Sequence, residues 1–164
     1  MASADDEVDL LIDAWSRRLH DVDLTPLDVM SRLRRVSLRL TRLRAGAFGG
    51  AGLTSWEFDV LAALRRTEPP HELSPAQLIE ATMIGSAAMS NRLDKLSGRG
   101  LIDRRPNDFD RRSIIVRLTD DGAARVDAAM TELVRREALE LQGVSAQDQA
   151  ALARIFRLML EDPA

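Results

Sequence analysis

The chain has 164 residues, with 23 basic and 26 acidic side chains, a formal net charge of −3, and no cysteine. That length suits one substantial core and not two, and the missing thiols exclude disulfides, thiol redox sensing and cysteine nucleophiles. With 45% hydrophobic but only 4% aromatic residues, the core must be built from Leu, Val, Ile, Met and Ala.

No apolar run approaches the length of a membrane span, and the acidic start MASADDEVD lacks the basic flank of a signal peptide. The expectation is a soluble cytoplasmic protein with no membrane partner.

Val8, Leu11, Ile12, Trp15 and Leu19 recur at helical spacing, which places Trp15 on an apolar stripe as a core or interface anchor. Leu24, Thr25, Pro26, Asp28 and Val29 make a second helix start. Beyond it Val29, Leu33, Val36, Leu40 and Leu43 are spaced 4-3-4-3, the repeat of a long helix packed against another, including one across a dimer axis. Arg32, Arg35, Arg39 and Arg42 run beside that repeat. They form a solvated stripe, or they pair with acidic residues of a partner or with an anion.

The glycine-rich AGAFGGAG, residues 45–52, is expected to end this helix as a linker; it lacks the lysine and the strand-to-helix setting of a phosphate-binding loop. Leu53, Thr54, Glu57 and Phe58 then supply a staple and a capping box. The helix WEFDVLAAL is apolar on nearly every side, so Asp59 is either an exposed acid on its edge or a carboxylate that needs a partner.

Pro69 and Pro70 close that helix, and His71 to Leu73 is short enough for one edge strand. His71 is expected at the surface, and with His20 it gives no ligand spacing, so neither a metal site nor a cofactor is expected. Ser74, Pro75 and Gln77 begin a short helix.

Ile84 to Arg117 carries the functional signal. It starts as a helix, stops at Gly98 and Gly100, and continues as two apolar runs, Leu101–Ile102 and Ile114–Val116, around PNDFDRR. On a helical projection Met89, Leu93 and Leu96 share one face, while Ala87, Asn91 and Lys95 lie opposite with Ser90 and Asp94 beside them. Eight basic against four acidic residues make Gly85 to Arg117 net +4, which leaves −7 for the rest of the chain. A basic module in an acidic protein points to directed contact with a polyanion. Arg111 and Arg112 fall in the loop of a two-stranded wing, where guanidinium groups hold phosphate or probe a minor groove.

Downstream, Thr119-Asp-Asp-Gly opens a helix with Val126, Met130 and Leu133 on one face, and Ser145 with Asp148 opens another containing Leu152, Ile155, Phe156 and Met159. These helices exceed what a small winged domain needs, so their use is to join subunits; a two-fold dimer presents two reading helices to a palindromic site.

The run GRGLIDRRPNDFDRRSIIVRLTDDG, residues 98–122, following a recognition-type helix, resembles the MarR family of winged-helix transcriptional regulators over nearly the full chain. The resemblance implies a mainly helical α+β fold: one domain over residues 1–164, with dimerisation helices over 8–44 and 119–160 around a winged helix-turn-helix lobe over 53–118. It implies a homodimer on double-stranded DNA with a palindromic operator. DNA contacts are then expected from Ser86, Ala87, Ser90, Asn91 and Lys95 of the helix and from Arg111 and Arg112 of the wing. The first-helix tryptophan, WEFDVL, the Asn-Arg pair in SNRLDKL and the double arginine of GLIDRR further resemble the urate-responsive PecS/HucR-like branch. That resemblance implies a small anionic effector, with urate favoured, at Trp15, Asp59, Arg92 and Arg104, where binding trades an Asp59–Arg92 contact for one with the anion. GSAAMSNR departs from the more usual SGxMTNR, which bears on the operator read. The competing expectation is a constitutive or architectural DNA-binding protein without a switch. An enzyme is disfavoured, because no metal cluster, nucleophilic triad or cofactor loop is present in the sequence.

Overall fold

The computed structural model describes residues 6–107 and 113–161. In chain order these form α1 (Glu7–Ser16), α2 (Thr25–Gly50), α3 (Ser55–Arg65), β1 (Glu72–Leu73), α4 (Pro75–Thr82), α5 (Ser86–Gly98), β2 (Ile102–Pro106), β3 (Ile114–Leu118), α6 (Asp120–Glu140) and α7 (Ala146–Leu160). The chain divides into two compact units, Met1–Leu43 and Arg44–Ala164. No described helix is long and apolar enough to cross a membrane.

In the first unit, α1 is tied to α2 by charge. Asp6 caps α1 by accepting from the amides of Val8 and Asp9. Arg32 of α2 donates to Asp6 and Asp9, and to Asp28 one turn back on its own helix. Arg35 pairs with Glu7. At these two positions the arginine stripe is therefore neither merely solvated nor reserved for another molecule; its partners are carboxylates of the same unit. The apolar stripe of α1 is largely open, with Val8 buried but Trp15 47% exposed.

The helix α2 does not end at AGAFGGAG but runs through Gly50, and the chain turns at Gly52, where φ is +71°. Helical glycine costs about 1 kcal/mol relative to alanine. Two local gains offset it. Ala47 and Phe48 are each 1% exposed, and the Phe48 ring stacks on Phe58 with centroids 4.0 Å apart and planes 9° from parallel, worth roughly 0.5–1.5 kcal/mol beyond burial. A side chain at position 46 would meet the guanidinium of Arg136, its Cβ lying 2.5 Å from Nη1.

In the second unit, α3 packs against α4 and α6, contributing Phe58, Val60, Leu61 and Leu64 to a core completed by Leu78, Met89, Leu93, Leu96, Leu101, Ile102, Val116 and Val126. The expected capping box at Ser74 is present: its hydroxyl accepts from the Gln77 amide, and Gln77 accepts from the Ser74 amide at 2.8 Å. The wing hairpin pairs β2 with β3, Arg104 opposite Val116, and β1 adds an edge strand on the far side of β3. Residues 108–112 of the wing loop lie outside the described residues.

His71, expected at the surface, is half-buried. Its Nδ1 lies 2.6 Å from the Thr67 carbonyl and its Nε2 2.8 Å from Arg65. Because Arg65 can only donate, this geometry fits a neutral ring whose Nδ1 donates to the carbonyl.

Gly122 of α6 backs onto the turn that leads into β2: a Cβ there would come 2.2 Å from the Leu101 carbonyl oxygen. This close approach is why the helix start reads Thr-Asp-Asp-Gly, with Thr119 accepting from the Gly122 amide. Farther along α6 and on α7, Val134, Leu139, Leu152, Ile155, Phe156 and Met159 remain 40% or more exposed.

Candidate nucleic-acid interface and neighbouring cavity

The helix α4, the turn through Met83 to Gly85 and the helix α5 form a helix-turn-helix. Met83 carries the turn in a left-handed conformation (φ 54°) and is 94% exposed. On α5, Met89, Leu93 and Leu96 point inward and are buried. Ser86, Ala87, Ser90, Asn91 and Lys95 are all exposed, as the periodicity predicts.

The flanks of α5 are held by neighbours. On one side the Arg92 guanidinium lies over the Trp56 ring of α3, 5.3 Å from its centroid. On the other, Arg104 of β2 gives a 2.8 Å hydrogen bond from Nη1 to Asp94. At the C-terminal end, Arg99 donates to Glu57 and to the Gly52 carbonyl.

Glu57 is the one buried charged side chain in the described core, at 4% exposure. Burial opposes its ionisation, but the Thr54 amide and hydroxyl and the Arg99 guanidinium outweigh burial and hold the carboxyl below its usual range. Arg105 likewise meets Glu72. Glu57 and Glu72, which lie outside the segment, thus answer two of its four net positive charges, whereas Lys95 and Arg117 make no ion pair among the described residues. Arg111 and Arg112 lie outside the described residues.

Beside this lobe, within the second unit, is a cavity of about 310 Å³ bordered by Arg44, Phe58, Asp59, Ala62, Arg66, Ala81, Thr82, Met83, Met130 and Leu133. Its size is that of a small-ligand site, and Arg44, Asp59, Arg66 and Thr82 make its lining mixed rather than apolar. Arg44 is engaged by Glu137 at 3.7 Å and lies over Phe48. Asp59 and Arg66 are exposed and have no hydrogen-bond or ion-pair partner among the described residues. A second depression, in the first unit, is lined by Asp9, Asp23 and Asp28 and is unsuited to an anion.

Of the residues expected around an effector, Asp59 borders the cavity, while Arg92 and Arg104 are occupied with Trp56 and Asp94. No Asp59–Arg92 pair forms among the described residues. Trp15 belongs to α1 in the first unit. Sequence reasoning missed Arg66 and Trp56, although both were findable: Arg66 is seven residues from Asp59 and Trp56 three, spacings that share a helix face. The Glu57–Arg99 pair, 42 residues apart, has no such local signal.

A family model described as the MarR family matches residues 51–113. The chain is 36% identical to the HTH-type transcriptional regulator PecS of Dickeya dadantii, over 92% of this chain and 90% of that protein. It is 32% identical to the HTH-type transcriptional repressor NicR of Pseudomonas putida, over 85% and 89%. Among solved structures, a mutant of the Escherichia coli MarR protein complexed with operator DNA superposes with a TM-score of 0.69 at 25% identity, covering 85% of this chain and 99% of that one. The Bordetella bronchiseptica BpsR structure, solved to explain regulation of its DNA binding by 6-hydroxynicotinic acid, gives 0.68 at 26%, covering 82% and 94%. A helix-turn-helix with a wing, and likeness to two regulators along nearly the whole chain, establish that the chain belongs to the MarR family, whose members are DNA-binding transcriptional regulators and not enzymes.

Proposed function

We propose that this protein is a homodimeric repressor that leaves a palindromic operator when a small heteroaromatic acid enters the cavity beside Asp59. The observation that carries the reading is an unpaired acid and an unpaired base, Asp59 on α3 and Arg66 at its C-terminal cap, bordering one cavity. Arg66 suits the anionic group of such a ligand, Asp59 a ring N–H, and Ala62, Met130 and Leu133 its flat faces.

Urate combines ring N–H groups with an anionic charge and is the first compound to try. The 6-hydroxynicotinic acid named for BpsR belongs to the same chemical class. Arg92 and Arg104 are then expected to act on the ligand only after rearrangement, because they hold other partners. A ligand shifts the equilibrium only by its differential affinity for the two states.

On the DNA side, Ser86, Ala87, Ser90, Asn91 and Lys95 are the groups for the major groove, and Arg111 and Arg112 for the wing's contact. The exposed apolar residues of α6 and α7 support a two-fold partner.

The test is binding to a labelled duplex from the protein's own upstream intergenic region, titrated with urate and with 6-hydroxynicotinate, for wild type and Asp59→Ala. Release of the wild type but not the variant is expected. Tight binding that neither acid affects would instead favour a constitutive regulator.

A further inference from the structure

We propose that Trp56 and Arg104 are positioning residues that set the rotation of α5 about its own axis, and so decide which side chains face the operator. The proposal rests on reading α5 as the operator helix. Met89, Leu93 and Leu96 anchor a single face of α5, and a helix held along one face can still roll. On a helical projection Arg92 lies about 60° to one side of Met89, and Asp94 about 140° to the other. The Arg92–Trp56 and Asp94–Arg104 contacts therefore brace α5 on two different flanks. A roll in either direction strains one of them.

The wing-side brace is built on a fixed base. Arg104 sits in the middle of β2, paired with Val116, which is wholly buried. Its Nη1 reaches Asp94, while Nε and Nη2 are buried and make no hydrogen bond. Two N–H-bearing atoms shut away from solvent cannot touch a phosphate in this geometry, so the side chain acts through Asp94 and not by delivering charge to DNA. Asp94 itself is on the exposed side of α5, with a side chain 65% accessible. Arg104 both holds this carboxylate and neutralises it beside a polyanion.

This assignment reverses the electrostatic expectation for one substitution. Removing a negative charge from a DNA-facing helix ordinarily tightens binding, most at low salt. If Asp94 is instead the handle by which Arg104 fixes α5, Asp94→Asn weakens specific binding. The same logic makes Trp56→Phe, which keeps an aromatic face for Arg92, milder than Trp56→Leu.

The experiment is selection of duplexes from a randomised library by the wild-type chain, followed by titration of the recovered duplex and a scrambled one with Asp94→Asn, Arg104→Gln, Arg104→Lys, Trp56→Leu and Trp56→Phe. Circular dichroism confirms which variants are folded, and Arg104→Lys and Trp56→Phe are the conservative pair if the others are not. Asp94→Asn and Arg104→Gln are expected to lose roughly tenfold in specific affinity, the scale of one base contact. They should also recover an altered sequence preference, with the double variant no worse than either single one; Trp56→Phe should retain the wild-type preference better than Trp56→Leu. Tighter specific binding by Asp94→Asn, or an equal loss on both duplexes with an unchanged preference for Arg104→Gln or Arg104→Lys, would overturn the proposal. A wild-type chain that enriches no sequence would overturn the operator reading and this proposal with it.

Discussion

Glu57, at the start of α3, forms an ion pair with Arg99, the residue that closes the C-terminus of α5. The carboxylate is nearly sealed from solvent and also accepts from the Thr54 amide and hydroxyl, so one side chain caps its own helix and anchors another. Glu57→Gln keeps the shape but removes the charge that Arg99 faces. With Arg99 still 38% accessible, the loss should be about 2 kcal/mol, below the range for a fully buried pair. It is read as a lower urea midpoint at unchanged slope. The sign with pH follows from the lowered carboxyl pKa. Its stabilisation is complete above the ordinary glutamate range and is lost as pH falls through the lower folded value, so Glu57→Gln should flatten the acid limb of stability.

The first unit offers a test of charge without burial. Asp6 is pushed up by desolvation but pulled further down by the Asp9 and Val8 amides and by Arg32, and its net pKa is lowered. Its contribution is present above the usual aspartate range and fades as pH falls below it. Arg32→Gln should therefore lower the amide-exchange protection factors of α1 at neutral pH, and acidification of the wild type should lower them too once the slower intrinsic exchange at low pH is divided out. Unchanged α1 protection in Arg32→Gln would show that the Arg32 cluster does not hold the helix, leaving it to the Arg35–Glu7 pair and apolar contacts.

Gly122→Ala tests the close approach of α6 to the wing. Its Cβ would lie 2.2 Å from the Leu101 carbonyl oxygen and 2.9 Å from a Leu118 methyl, and backbone cannot swing aside as a flexible side chain can. The expected cost is roughly 1–3 kcal/mol, the range for overpacking, even though alanine is the better helix former. Thermal unfolding gives the answer: a raised Tm would mean that α6 shifts freely.

The order of helices, the hairpin, the Ser74 cap and the inward face of α5 were all legible, because each is written in contiguous residues as period, cap or turn. The end of α2 was misread for the same reason: Gly-Gly-Ala-Gly signals a linker locally, but the stack of Phe48 on Phe58 joins residues ten apart in separate helices. Asp59 drew attention as the carboxylate in an apolar helix, yet the buried acid is Glu57, two residues earlier. A composition count cannot distinguish them, since the answer depends on Arg99 arriving from across the lobe. The charge of the reading segment was counted correctly but overvalued, because Arg99 and Arg105 face Glu57 and Glu72, carboxylates that lie outside the segment.

Asn91 and Lys95 share the exposed side of α5 but should fail in different ways. Neither Lys95 nor Asn91 has an ion-pair or hydrogen-bond partner among the described residues, so both side chains are available to DNA. An asparagine can make a bidentate contact to adenine worth about 1–3 kcal/mol of discrimination, so Asn91→Ala should lower affinity for the selected duplex while leaving scrambled DNA almost unaffected. Lys95→Ala removes a compact charge, and it should weaken both duplexes alike and make the dependence of log K on log salt shallower by about 1. Measured side by side across a salt series, the two variants separate base reading from phosphate holding on the same helix. If Asn91→Ala instead weakens both duplexes equally, the helix is rolled from the orientation in which Asn91 meets a base edge, and the rotation set by Trp56 and Arg104 must differ between the free and DNA-bound chain.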